Sequence, residues 1–287
     1  MSRSLLLALL FAGTSLQAPS LHAQSRVAPR VVPPIAHVAP LAIGETFTIA
    51  SPTLHEVRRI NVWMPDVYTD SARLRLPVLY MPDGGMREDF LHVAGLLQVS
   101  IGNGTMRPFI LVGIENTERR RDLTGPTEVA SDRRIAPRVG GSAAFRTFIR
   151  SELMPAIRER YRTTNETAVM GESLAGLFVV ETLVKEPTLF DTYIAFDPSL
   201  WWNGEQLAHM ALDTLRAKAP TGRRLFLANS GEPSLAPLIP GLAASLGGGA
   251  VPGLEVHYQP FPDETHATIY HPAAVRAVRV MLGPGAN

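Results

Sequence analysis

The segment Gly171–Gly176, which reads GESLAG, contains the residues whose types and spacing best suit chemistry. Ser173 stands between a short apolar run, Thr167–Met170, and an apolar helical pattern, Leu174–Lys185. A serine at such a strand-to-helix turn is held in a strained conformation that exposes its hydroxyl, and the following helix N-terminus favours negative charge beside it. The pattern therefore predicts a nucleophile. The alternative is an ordinary turn that caps a helix.

An acid and a histidine follow the serine in the order that is typical of a hydrolase. Glu232 lies just past the predicted strand Arg224–Ala228, and His266 follows the predicted strand Leu254–Tyr258. We expect His266 to take the proton from Ser173 and Glu232 to orient the imidazole. The alternative for His266 is a solvated loop histidine. The other carboxylates that compete with Glu232 for the acid position are Asp197, Glu205, Asp263 and Glu264.

The loop Asp83–Gly84–Gly85–Met86 follows a predicted buried strand. Its two adjacent glycines allow the backbone to approach an ester oxygen closely. We expect an N–H group of this loop and the N–H of Leu174 to form an oxyanion hole. The candidate donors in the loop are Gly84, Gly85 and Met86. The alternative is a plain tight turn.

Two further segments offer groups that suit substrate binding. Arg121 belongs to an arginine cluster after a predicted strand, and clustered arginines often bind anions through paired hydrogen bonds. Trp201 and Trp202 follow another strand and suit an apolar pocket for an acyl or aromatic group. The alternatives are an Arg121 that is solvated or paired with a nearby carboxylate such as Asp122, and core packing for one of the two tryptophans.

Alternating strand and helix patterns surround these residues. The predicted strands, besides those above, are 45–51, 57–64, 77–81, 109–114 and 193–196, and the predicted helices are 90–99, 145–161, 174–185, 205–217 and 273–281. We expect the helix 145–161 to kink or restart at Pro155. The alternation predicts an α/β fold with a mostly parallel central sheet and helices on both faces.

Composition supports a single enzyme-sized domain. The chain has 287 residues, of which 46% are hydrophobic and 18% charged, and this is ample for a buried core. We expect one catalytic domain over residues 43–287. The formal net charge of +1 argues against a general attraction to nucleic acid.

The N-terminus has the composition of a signal peptide. A positive Met1–Arg3 precedes an apolar core, Leu5–Phe11, and Leu21–Ala23 suits cleavage before Gln24. We therefore predict a signal peptide over 1–23, a Pro/Ala-rich linker or arm over 24–42, and export to the periplasm or the medium. Because the sequence has no cysteine, no lipoprotein-type anchor is expected. The alternative is a buried N-terminal helix.

Taken together, these motifs resemble the Putative esterase family of α/β-hydrolases, which includes esterase D-like, ferri-siderophore esterase and feruloyl esterase members. The resemblance covers about Ile43 to Leu282. It is carried by the segments Val78–Gly84, Ile110–Thr117, Arg121–Thr124, Phe148–Tyr161, Gly171–Leu177, Pro198–Trp202 and Glu264–His266.

This resemblance implies an α/β-hydrolase fold, with Ser173 as nucleophile, His266 as base and the loop at Gly84 and Gly85 in the oxyanion hole. The chain departs from the family at two positions. Asp197 stands where the family usually has serine, and Ala175 where glycine is more common. Some similar siderophore esterases work with a Ser–His pair that lacks a close acid, so the place of Glu232 stays open.

We therefore expect an exported serine esterase that hydrolyses a carboxylic ester through an acyl-enzyme. The expected partner is a small-molecule ester of siderophore, feruloyl or other acyl type. No metal or organic cofactor, nucleic acid or stable membrane anchor is expected. One alternative is an acyltransferase of the same fold. The other is a catalytically inactive protein that binds a siderophore or an acylated ligand.

Overall fold

The computed structural model describes residues 33, 35–234 and 237–285. The chain separates into two units, Met1–Leu41 and Ala42–Asn287. In the first unit, the described residues have no regular secondary structure and are exposed. The predicted signal segment 1–23 lies outside the described residues, as does most of the predicted linker 24–42. Both therefore stay predictions.

The second unit is built on an eight-stranded sheet. Its strands are β1 Glu45–Ser51, β2 Glu56–Trp63, β3 Leu76–Pro82, β4 Ile110–Ile114, β5 Thr163–Glu172, β6 Thr192–Phe196, β7 Arg223–Ser230 and β8 Leu254–Phe261. Their order in the sheet is β1-β2-β4-β3-β5-β6-β7-β8. Strand β2 runs antiparallel to its neighbours β1 and β4, and every other pair is parallel.

The helices cover both faces of this sheet. They are α1 Asp66–Thr69, α2 Phe90–Gly102, α3 Arg119–Asp122, α4 Ala130–Ile135, α5 Ser142–Phe148, α6 Met154–Arg160, α7 Leu174–Lys185, α8 Gln206–Lys218, α9 Leu238–Leu246 and α10 Tyr270–Met281. Helices α5 to α9 bury their apolar sides in one core, and α2 and α10 bury theirs in a second core on the opposite face. The predicted fold class is confirmed.

The sequence of each strand matches its place in the sheet. The interior strands β3, β4 and β6 are buried along their whole length, as expected for parallel strands covered on both faces. The edge strands β1 and β8 instead contain mostly partly buried and exposed positions, because one face or edge of each meets solvent.

The long helix predicted over 145–161 is divided. Helices α5 and α6 are joined without a break by one turn of π-helix, Ile149–Leu153, and Pro155 lies in the first turn of α6. Proline has no N–H for the carbonyl one turn back, and its ring collides with that carbonyl. The wider π turn relieves this conflict, so the predicted irregularity at Pro155 takes the form of a π-bulge.

The order of the strands determines where a site can form. Along the chain, β3 is followed by β4 on one side of it, whereas β5 lies on its other side. In an open α/β sheet, ligands bind at the carboxyl ends of the strands where the winding direction reverses in this way. The loops after β3 and β5 flank that crevice. In the described ranges, no helix combines the length and apolar composition needed to cross a bilayer.

Candidate active site

Ser173 occupies a strained turn between β5 and α7. Its backbone has φ of 59° and ψ of −121°, a conformation that is costly for a residue with a side chain. Its N–H donates to the Phe196 carbonyl at 3.0 Å, which ties the turn to the end of β6. This geometry places the Ser173 side chain above the carboxyl edge of the sheet.

Small residues make the sharp turn possible. A Cβ added to Gly171 would lie 2.7 Å from the Cβ of Ala175, and one added to Gly176 would lie 2.9 Å from the carbonyl oxygen of Phe196. Both positions therefore require glycine. Ala175, where glycine is more usual, is accommodated because its methyl group uses the space that Gly171 leaves.

His266 links Ser173 to a buried carboxylate. It lies in the loop between β8 and α10, with Nε2 at 3.1 Å from Ser173 Oγ and Nδ1 at 3.1 Å from Asp197 Oδ2. The two ring nitrogens thus face a hydroxyl and a carboxylate on opposite sides of the imidazole. This arrangement allows the ring to accept the hydroxyl proton at Nε2 while Nδ1–H donates to the carboxylate.

The Asp197 carboxylate is held in a fixed position beside the imidazole of His266. It follows β6 directly, adopts the left-handed region with φ of 40°, and is fully buried. Its Oδ1 accepts the Ser230 N–H at 2.7 Å, and its Oδ2 accepts the Ser230 hydroxyl at 2.6 Å. These bonds fix the carboxylate so that its remaining capacity as an acceptor points at His266.

The expectation that Glu232 orients His266 is corrected by this geometry. Within the described residues, the Glu232 carboxylate has no hydrogen bond to His266, and the carboxylate that contacts Nδ1 belongs to Asp197. The reason is the strand order: β6 lies directly beside β5, so the residue after β6 is next to the Ser173 turn. Glu232 lies two residues past β7, where Gly231 N–H pairs with the Glu264 carbonyl at 2.9 Å.

The candidate oxyanion donors fall into two groups. The Gly84 N–H donates to the Ile114 carbonyl at 3.0 Å, and the Gly85 N–H donates to Glu88 Oε2 at 2.7 Å, so neither is free. Among the described residues, the N–H groups of Met86 and Leu174 have no acceptor. Of the four residues expected in an oxyanion hole, Met86 and Leu174 are therefore the two whose backbone N–H groups are free to donate a hydrogen bond to an oxyanion.

Of the residues expected to bind substrate, Arg121 is paired with carboxylates of the protein, whereas the two tryptophans lie beside each other. Arg121 is engaged by Glu56 and Asp122, each at 2.7 Å, so its guanidinium is paired within the protein rather than facing the site. Trp202 is buried and donates its indole N–H to the Gly125 carbonyl at 2.9 Å, while Trp201 is half-buried beside it. Trp202 lines a cavity of about 320 Å³ between α7 and α8.

Arg119, a neighbour of Arg121 that the sequence did not single out, interacts through its charge with Glu172, the residue before Ser173. Its guanidinium makes paired hydrogen bonds to Asp83, at 2.6 and 2.8 Å, at the start of the loop between β3 and α2. The pattern of three consecutive arginines gives no periodicity from which to tell which of them turns inward, so the sequence carried no signal for this choice.

Two carboxyl groups near Ser173 have raised pKa values. Burial raises the pKa of Glu172 to about 7; His266 and Arg119 oppose this shift, and the charges of Asp89 and Asp197 add to it. Burial also raises the pKa of Asp89 to about 6, with the charge of Asp83 adding to the shift. Oε1 of Glu172 is buried without a hydrogen-bond partner. The site therefore holds carboxyl protons close to neutral pH.

The pKa of His266 is raised as well. The hydrogen bond to Asp197 is the main cause; burial of the ring opposes it, and the charges of Glu172 and Glu232 add to it. The shift strengthens His266 as a proton acceptor. No group of three or more histidine, aspartate or glutamate side chains in the described part of the chain is placed to hold a metal ion.

Comparison with known proteins finds esterases and a serine hydrolase among the chains that are similar to this one. The chain is similar to an IroE-like serine hydrolase from Shewanella oneidensis, with a TM-score of 0.73 and 28% sequence identity over 82% of this chain and 79% of that one. It is 31% identical over 169 residues to the ferri-bacillibactin esterase BesA of Bacillus subtilis, which covers 52% of this chain and 56% of BesA. It is 33% identical over 157 residues to the siderophore triacetylfusarinine C esterase of Aspergillus fumigatus, which covers 49% and 50%.

The eight-stranded, mostly parallel sheet with helices on both faces is an α/β-hydrolase fold. Residues 51–231, more than half of the chain, match the family model described as "Putative esterase". The chain belongs to this family. It spans about half the length of the curated relatives named above.

Proposed function

We propose that this protein is an exported serine esterase that hydrolyses a carboxylic ester through an acyl-enzyme. The observation that carries the proposal is the hydrogen-bonded series Ser173–His266–Asp197 at a strained strand-to-helix turn. Membership of the esterase family supports the reaction class.

The first half of the reaction transfers the acyl group to the enzyme. Ser173 Oγ attacks the ester carbonyl carbon while its proton passes to Nε2 of His266. The carbonyl oxygen becomes an oxyanion, which accepts hydrogen bonds from the backbone N–H groups of Met86 and Leu174. The C–O bond to the alcohol then breaks, and the alcohol oxygen takes the proton from Nε2. Asp197 stabilises the imidazolium that forms between these two transfers.

The second half regenerates the serine. A water molecule gives a proton to Nε2 as its oxygen attacks the acyl carbon. When the second tetrahedral intermediate collapses, the proton returns to Ser173 Oγ and the carboxylic acid is released. Every group needed for this sequence belongs to the chain, the ester or water. A sugar or lipid alcohol in place of water would make the same site a transferase.

For the substrate we propose a siderophore-type ester. BesA and the Aspergillus protein are named as esterases of siderophores, and this supports an ester of an iron-chelating ligand for the present chain. The proposed export, which rests on the N-terminal composition, would give the enzyme access to such molecules outside the cytoplasm.

The test combines active-site labelling with a substrate panel. We expect a fluorophosphonate probe to label the purified protein at Ser173 and the S173A variant to stay unlabelled. We expect turnover within a panel of catecholate and hydroxamate siderophore esters, feruloyl sugars and short-chain acyl esters. Labelling without turnover of any ester would favour a ligand-binding protein. Transfer to an added alcohol in preference to water would favour an acyltransferase.

A further inference from the structure

The loop that joins β3 to α2, residues 83–89, is fixed to the sheet at its first residues. The Gly84 N–H pairs with the Ile114 carbonyl, and the Gly84 carbonyl accepts the side-chain N–H of buried Asn61 at 2.8 Å. A Cβ on Gly84 would lie 2.2 Å from the Cα of Gly113, so the loop packs against β4 at backbone distance. These contacts fix the position of Gly84 but do not determine the direction of the residues that follow it.

Glu88 determines the direction of the following turn. Its own N–H donates to the Gly85 carbonyl at 3.0 Å, and its Oε2 accepts the Gly85 N–H at 2.7 Å, so the two residues close a turn around Met86 and Arg87. A Cβ on Gly85 would lie 2.8 Å from that same Oε2. The carboxylate therefore occupies the space that a side chain at position 85 would fill.

The same carboxylate ties this turn to the loop after β4. Its Oε1 accepts the Asn116 side-chain N–H at 3.0 Å. Asn116 in turn donates to Asp83, which Arg119 binds through two hydrogen bonds. Glu88 thus bridges two loops at the edge of the crevice, and its contact with Gly85 removes one of two neighbouring N–H groups as a donor.

We propose that Glu88 is the positioning residue of the oxyanion hole. By occupying the Gly85 N–H and anchoring the turn to Asn116, it leaves the Met86 N–H as the donor of this loop and fixes its direction. The inference rests on the proposed esterase function. Glu88 acts through the backbone of the loop, and its carboxylate stays out of the proton transfers.

This role predicts a loss in kcat with little change in KM. The oxyanion is stronger as an acceptor than the ester carbonyl, and its position differs from that of the ground-state oxygen. Misdirecting a backbone donor therefore weakens transition-state binding more than substrate binding. Because removal of one oxyanion donor costs about 10²- to 10³-fold in kcat, a misplaced donor should cost about 10- to 100-fold.

The experiment compares Glu88→Ala, Glu88→Asp and Glu88→Gln with wild type on a p-nitrophenyl ester, with a thermal melt of each. We expect E88A and E88D to lose at least about tenfold in kcat with KM within about twofold of wild type. E88Q keeps an acceptor for the Gly85 N–H, so it should recover part of the loss. The affinity for an aryl boronic acid, which forms a tetrahedral adduct with the serine, should fall in parallel with kcat.

Glu118→Ala is the matched control. Glu118 is also a carboxylate of the loop after β4, but it pairs with exposed Arg138, so its loss should leave kcat unchanged. An E88A variant that equals wild type in kcat, or that raises KM alone, overturns the inference. If E88A does not fold, E88D decides by the same criteria. A wild-type protein without ester turnover or labelling overturns the proposed function and this inference with it, whereas an active wild type with unaffected Glu88 variants overturns the inference alone.

Discussion

At the scale of single residues, Asp197 and Glu232 give the sharpest test of the site. If Asp197 orients His266, Asp197→Asn should cost kcat up to ~10⁴-fold, because the amide favours the wrong tautomer of the imidazole. Glu232 reaches His266 only through its charge, so Glu232→Gln should cost less than about tenfold. The measurement is kcat on a p-nitrophenyl ester for both variants. A greater loss in E232Q than in D197N would restore Glu232 as the acid.

Ser173 and His266 should behave as one unit. Loss of either stops the same step, so Ser173→Ala and His266→Ala should each remove nearly all activity, and the double variant should be little worse than either one. The residual rate should be about 10³-fold above that of water, from binding and the oxyanion hole. Ester turnover with a thermal melt of all three variants measures this. An S173A variant that melts normally and keeps more than about a tenth of the activity would exclude Ser173 as nucleophile.

Glu172 should set part of the pH dependence. Its charged form raises the pKa of His266, and its own pKa is raised to about 7, chiefly by burial. Glu172→Gln removes that charge, so the pKa of His266 should fall. Because the base must be neutral to accept a proton, the acidic limb of kcat/KM should move to lower pH. A limb that stays in place or moves to higher pH would contradict this.

A stability measurement provides a second readout on the same variant. A carboxyl group with a raised pKa favours the folded state below its unfolded pKa, and that contribution is lost as the pH rises through about 7. E172Q should therefore gain melting temperature over wild type at pH 8 more than at pH 5. A gain that is equal at the two pH values, or larger at pH 5, would contradict this expectation.

The candidate nucleophile and base could be predicted from the sequence because each follows a strand that its neighbouring residues make recognisable. Ser173 lies between glycines at a strand end, and His266 lies in a loop after β8. The acid depends instead on which strand lies beside β5 in space. Asp197 and Glu232 both follow strands along the chain, and only the order β5-β6-β7 places Asp197 next to the Ser173 turn. A contact between residues so far apart in the sequence cannot be predicted from a local sequence pattern.

At the scale of elements, the turn from β5 to α7 depends on the space at Gly176. Gly176→Ala would place a methyl group 2.9 Å from the Phe196 carbonyl oxygen and 3.1 Å from the Cα of Pro198, both backbone atoms. Overpacking of this kind costs about 1–3 kcal/mol. Because Asp197 lies between these two contacts, kcat should fall together with the melting temperature.

Ala175→Gly is the matched control for that substitution. It restores the residue more usual at this position and removes only a methyl group. It should lower stability by at most about 1 kcal/mol through the lower helix propensity of glycine, with kcat unchanged. Thermal melts and ester turnover of both variants provide the measurement. A G176A variant as stable and active as wild type would show that β6 shifts easily, contrary to its buried, close-packed position.

Most strands and long helices could be predicted from the sequence to within a few residues, because each has a strong period or a continuous apolar run. The strand predicted over 45–51 is observed over Glu45–Ser51, and the helix predicted over 174–185 over Leu174–Lys185. Helix α9 was not predicted. Its sequence LIPGLAASL contains proline and glycine, which are typical of a loop, and burial against the sheet overrides that weak propensity.

For the whole molecule, the segment before Glu45 differs in composition from the region that matches the esterase family. The esterase family match covers residues 51–231, and the candidate catalytic site extends to His266. The segment before Glu45 contributes no acidic residue. This absence of acidic residues is consistent with the signal peptide that we propose over residues 1–23.

If residues 1–23 form a cleaved signal peptide, mass spectrometry of the mature protein from the periplasm or medium should show an N-terminus near Gln24. Replacing Leu6 and Leu9 by arginine should block export, since the apolar core must enter the membrane during transport, and the uncleaved chain should then stay in the cytoplasm. A matched change outside that core, Val38→Arg at an exposed position, should leave export intact. An intact Met1 terminus on active wild-type protein from the cytoplasm would contradict the proposal, and the enzyme would then have to meet its ester inside the cell.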